Sequence, residues 1–214
     1  MAPSLPTGCR KPVDVIFLLD ASSSIYGPDF RKHLGFVTSV IRDLRIDPSM
    51  VRFGLTTFGD QARVEFGLRT YSSAATAMKA VSLVRQLRGN TRTDLALRVM
   101  RQMMAEDRRS GVSQIGIVLT DGQSDYPANT RQEAEAAHSE GVVLFAVGFG
   151  EDMDMRELRA IASREEFVYL LTSEKEFQVL KGFLPKIICS YLEEPKDEGK
   201  ESIQPLPGGA LDVA

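Results

Sequence analysis

Residues 13–27 read VDVIFLLDASSSIYG, an aliphatic run that ends abruptly in an aspartate and three serines. Val13, Val15, Ile16, Phe17, Leu18 and Leu19 give the composition of a strand covered on both faces. The polar group that follows then falls at a strand's carboxyl end, where open parallel sheets hold their ligands.

Working outward, strands and helices alternate. Phe30, Leu34, Val37, Ile41 and Leu44 recur at helical spacing between Pro28 and Leu44. Strand patterns occupy 51–58 and 62–66, joined by the turn Gly59, Asp60, Gln61. Helices are expected at 74–87 and 93–104, a second central strand at 114–120 and a helix at 130–140. Further strands are expected at 142–149 and 167–171, and helices at 155–162 and 174–192. This alternation predicts the α/β class: a doubly wound, mostly parallel central sheet with helices on both faces. Residues 1–8 read as an N-terminal extension, 9–192 as the domain, and 193–214, containing EEPKDEGKESIQPLPGG, as a disordered C-terminal tail.

Composition removes several function classes. A chain of 214 residues with 43% hydrophobic content suits one domain able to bury its own core. Lys and Arg total 26 against 29 Asp and Glu, without the basic excess that would announce nucleic acid. No apolar run reaches the roughly 18 residues of a membrane span. The opening MAPSLPTG lacks the cationic start and apolar core of a signal peptide, as in an intracellular chain or a mature form restarted with Met. The only two cysteines, Cys9 and Cys189, bracket nearly all of the ordered pattern. They read either as a clasp across both ends or as two buried thiols.

After the first strand, Asp20, Ser22 and Ser24 alternate, so a turning backbone can bring a carboxylate and two hydroxyls to one point. The same residue types also cap helices and make turns. The second central strand ends in another acid, Asp121 of TDGQSD, and the turn GNTRT at 89–93 offers Thr91. Two carboxylates and three hydroxyls, with no His or Cys nearby in sequence, suit a hard cation: Mg²⁺, with Mn²⁺ or Ca²⁺ as alternatives. Two aspartates just neutralise such an ion, which leaves it open to an outside carboxylate.

DASSS after the first strand, GNTRTDLAL and IGIVLTDGQSD resemble, in order and spacing, the metal-ion-dependent adhesion site of von Willebrand factor type A domains, the fold also inserted in integrin α-subunits. The resemblance runs from about Cys9 to Tyr191. It implies metal ligation by Asp20, Ser22, Ser24, Thr91 and Asp121. It also implies a Cys9 to Cys189 bridge like that of matrilin-like domains, and with it secretion into the extracellular matrix. The implied function is adhesion, with a partner's acidic residue captured through the cation; collagen or another matrix protein is the expected partner class. The short acidic turn after AVGFG leaves no room for the extra small helix of collagen-binding integrin domains, and a bridge on the last helix favours fixed affinity over a switch.

The remaining features read more plainly. His33 and His138 are lone residues on helical patterns, read as surface or core-edge positions and not as ligands, and Met103 and Met104 are helix packing. Arg88 and Arg92 flank the Thr91 turn, with Arg63 and Arg69 toward a neighbouring edge; they read either as solvated charge or as contacts for acidic proteins or acidic glycans. Leu211, Asp212 and Val213 match an integrin-recognised tripeptide by coincidence. An enzyme is the rival class, but no phosphate-binding loop, dinucleotide fingerprint or nucleophile elbow is present. An intracellular scaffold of the same fold is the third reading, which free thiols would favour.

Overall fold

The computed structural model describes residues 9–44, 46–121, 123–150 and 154–194. The N-terminal extension, most of the expected tail, the tripeptide at 211–213 and most of the acidic turn after AVGFG lie outside them. Six strands form one sheet: β1 (Val13–Asp20), β2 (Val51–Phe58), β3 (Ala62–Phe66), β4 (Ser113–Thr120), β5 (Val142–Phe149) and β6 (Val168–Leu171). Their order is β3-β2-β1-β4-β5-β6, all parallel except the β2–β3 hairpin. Among the described residues six α-helices accompany them: α1 (Gly27–Leu44), α2 (Ala74–Ser82), α3 (Thr93–Glu106), α4 (Pro127–Ser139), α5 (Met155–Ile161) and α6 (Glu174–Glu193).

α1 packs on α2 and α6, while α3 packs on α4 and α4 on α5, giving one helical layer on each face. Double covering explains why every residue of β1 and β2 is buried. Phe17 stacks on Phe53 at 6.0 Å within this core. β1 lies between β2 and β4, so the chain leaves β1 toward one side of the sheet and β4 toward the other. That reversal opens a crevice at the carboxyl ends of β1 and β4, where Asp20 and Asp121 stand.

Helix α2 is shorter than its apolar pattern predicts, ending at Ser82 instead of Leu87. Leu83 is 70% exposed, while Val84 and Leu87 pack half-buried against the core without being helical. Residues 86–89 spend their polar groups on the β1 loop instead: Gln86 Nε2 donates to the Ser22 and Ile25 carbonyls, and Arg88 N to that of Ala21. Helix α4 begins three residues earlier than its pattern, with Pro127 in its first turn.

Cys9 and Cys189 are joined by a disulfide that ties α6 to the chain just before β1. No helix among the described residues is long and apolar enough to cross a membrane.

Candidate metal centre

Asp20 is the last residue of β1, and its carboxylate is fully buried. Oδ1 accepts from Ser22 N at 2.9 Å and Oδ2 from Thr120 Oγ1 at 2.6 Å. Ser22 Oγ and Ser24 Oγ share a hydrogen bond of 2.8 Å, and Ser24 Oγ donates to Asp121 Oδ1 at 2.9 Å. The turn after β1 thus gathers Asp20, Ser22, Ser24 and Asp121 into one connected cluster across 101 residues of sequence.

Thr91 is held beside this cluster by its backbone. Thr91 N donates to Asp125 Oδ2 at 2.7 Å, and Asp125 N to the Thr91 carbonyl at 3.1 Å, which binds the turn to the β4 loop. Ser23 N donates to the Gly89 carbonyl at 2.9 Å and Gly89 N to Ser23 Oγ at 2.8 Å, which binds it to the β1 loop. Asn90 N reaches Asp60 Oδ1 at 2.9 Å in the hairpin turn. The β4 loop is braced in turn by buried Ser124, whose N–H donates to the Glu157 carboxylate of α5. Burial raises the Glu157 carboxyl.

Burial also pushes the Asp20 carboxyl up to about 6, against the lowering effect of its bonds from Thr120 and Ser22. The Asp121 carboxyl is raised by burial as well. Among the described residues no cationic side chain offsets Asp20, so its charged form is costly until a cation is supplied. This fits the donor set to a hard divalent ion. Among the described residues no group of three His, Cys, Asp or Glu side chains is placed to hold a metal ion, so a cation here would need other oxygen donors as well.

The other expected contacts divide. Arg92 is taken up by Asp94, with two bonds of 2.8 Å, and its guanidinium lies 4.5 Å from the Tyr126 ring centroid. Arg63 pairs with Glu65 at 2.6 Å and Arg69 with Asp107 at 2.6 Å. Arg88 is exposed. His138 Nε2 lies 3.0 Å from the Ile161 carbonyl, a packing role. His33, read from sequence as a surface or core-edge residue, is buried and stacks on Phe149 at 4.1 Å. It lines an open cleft of about 310 Å³ beside Asp121, with Lys32, Leu171 and Phe177. Sequence reasoning also missed Thr120 and Gln86; Asp125 stood in the quoted TDGQSD motif, but its partner lies 34 residues away.

A doubly wound sheet with an oxygen-donor cluster at its switch point defines a class of α/β binding domain. Within it, the chain belongs to the von Willebrand factor type A domain family, whose model matches residues 14–183. Among its relatives, the collagen alpha-6(VI) chain of Mus musculus is 33% identical over 182 residues, covering 83% of this chain and 8% of that one. Matrilin-1 of Mus musculus is 33% identical over 190 residues, covering 85% of this chain and 37% of the relative. This chain therefore spans well under half the length of these relatives. Among solved structures, proximal thread matrix protein 1 from the mussel byssus superposes with a TM-score of 0.77 at 30% identity, covering 86% of this chain and 47% of that one. That structure is described as having a zinc-occupied MIDAS motif.

Proposed function

We propose that this domain is a secreted matrix adhesion module in which Asp20, Ser22, Ser24, Thr91 and Asp121 hold a divalent cation that captures an acidic residue of a protein partner. The single observation that carries this reading is the fully buried Asp20 carboxylate, pushed up to about 6 with no cation against it among the described residues. A bound Mg²⁺ or Mn²⁺ supplies Lewis acidity and the missing positive charge. Asp20 and Asp121 neutralise it, the three hydroxyls contribute uncharged donors, and Thr120 and Ser22 N orient Asp20. With both charges spent inside the protein, a further anion must come from outside.

Collagen or another matrix component is the proposed partner class, in keeping with the collagen and matrilin relatives. No chemistry is assigned to the site, in keeping with the collagen and matrilin relatives. The Cys9 to Cys189 bridge favours secretion over the intracellular scaffold reading.

The test is binding to immobilised collagen VI and matrilin-1 in Mg²⁺, in EDTA, and with Asp121→Ala. Binding in Mg²⁺ alone, lost in the other two, supports the reading. Equal binding in all three places the adhesive face elsewhere.

A further inference from the structure

Among the described residues Arg88 is the single non-glycine residue with a left-handed backbone, at φ 65°. Glycine takes this conformation freely and arginine only at a cost, as Gly89 at φ 85° illustrates. The turn is over-determined by the site. Arg88 N donates to the Ala21 carbonyl at 2.7 Å, and Gly89 exchanges two bonds with Ser23. Gln86 Nε2 clamps the Ser22 and Ile25 carbonyls at 2.7 and 2.8 Å. Gly59 packs so closely under the Arg88 carbonyl that a Cβ there would collide with it. Strain held in this way at a binding rim points to a use for the side chain that pays it.

The side chain is free to be used. Arg92 and Arg63 are each paired with a carboxylate, whereas Arg88 is exposed and forms no ion pair among the described residues. Its backbone is bonded to Ala21, the residue between Asp20 and Ser22, so it stands on the rim of the donor cluster. A guanidinium fork matches a carboxylate with two parallel bonds.

We propose that Arg88 is a specificity-determining residue that reads a second acidic side chain on the partner, beside the one that completes the metal's shell. The proposal rests on the metal-dependent reading above. The ligand class is a protein segment with two carboxylates, one for the ion and one for Arg88.

The full chain is applied, in Mn²⁺ or in EDTA, to densely displayed glycine-serine peptides carrying one glutamate, or two at varied spacing. The wild type retains a two-glutamate peptide of one spacing about tenfold better than single-glutamate peptides. Arg88→Gly, which suits the left-handed turn, loses that preference while keeping single-glutamate binding. Arg88→Glu disfavours the second glutamate. Mn²⁺ titration and circular dichroism, run in parallel, report on Asp20, Asp121 and the fold. Equal retention of both peptide sets by the wild type, or a preference that survives Arg88→Gly, overturns the proposal. So does Arg88-dependent retention on immobilised heparin in EDTA, which assigns the residue to a sulfated polysaccharide. If no peptide is retained better in Mn²⁺ than in EDTA, the metal-dependent reading falls, and this one with it.

Discussion

Asp14 and Asp20 stand at opposite ends of β1, both fully buried, and only Asp14 is neutralised. Arg52 donates to its two oxygens at 2.7 and 2.6 Å, and Arg109 adds a bond of 2.7 Å. Asp20 receives a backbone N–H and a hydroxyl. One strand therefore carries a satisfied structural carboxylate at its start and an uncompensated one at its end. The second is expensive unless a cation is added, which separates a structural acid from the one proposed to bind metal.

The contrast predicts opposite mutational costs in EDTA at pH 7. Asp14→Ala leaves Arg52, itself 7% exposed, without its carboxylate, and destabilises by about 3–5 kcal/mol. Asp20→Asn removes an uncompensated charge and is neutral or stabilising. Urea midpoints check both; a large loss for Asp20→Asn contradicts the account.

Metal should turn the Asp20→Asn change into a net loss. An ion that binds the folded state alone stabilises it by about 2.7 kcal/mol at a hundredfold excess over Kd, which raises the melting temperature of the wild type. Asp20→Asn should gain much less, in calorimetric titration and in melting alike. Affinity for Mg²⁺ should also fall below about pH 6, as a proton competes with the ion for Asp20.

Two buried groups give opposed pH dependences in the metal-free protein. The Asp20 carboxyl is raised to about 6, so its favourable contribution is complete below about 3.8 and lost as pH rises through about 6. Burial lowers His33 to about 4, so its contribution is present above about 6.5 and lost as pH falls through about 4. Each is worth on the order of 3 kcal/mol across its window. From pH 7 to pH 4 the wild type should therefore gain stability relative to Asp20→Asn and lose it relative to His33→Phe. Urea titrations of the three proteins in EDTA measure the differences, and parallel curves refute the assignment.

Removing the Cys9 to Cys189 bridge releases a loop with a sequence separation of 180. Loop entropy sets an upper figure of about 5 kcal/mol on the cost, by a model that neglects residual structure in the unfolded chain. The double Cys→Ser variant should melt well below the wild type. Alkylation of the native, unreduced protein should add no mass.

Much of this molecule is legible along the chain. Periodicity locates the six strands and six α-helices of the described residues, because a buried strand and an amphipathic helix each write their pattern into consecutive residues. Where the apolar spacing predicts helix at 83–87, the Gln86 side chain instead holds two carbonyls of the β1 loop, 61 and 64 residues away. Local composition carries no trace of such a bond.

The sequence by itself determined the sheet class and the donor types at the ends of β1 and β4, since strand burial and short motifs are local properties. Tertiary structure alone decided which charges are answered. Asp14 finds its arginines 38 and 95 residues away, and Asp20 is held by a threonine 100 residues away and by no cation among the described residues. Arg92 and Arg88, four residues apart and alike in sequence, are separated by Asp94 and Tyr126 on one side and an open rim on the other. The reason is the range of the interaction: a propensity acts over one turn of chain, whereas the cost of a buried charge depends on every side chain the fold brings within a few ångströms of it.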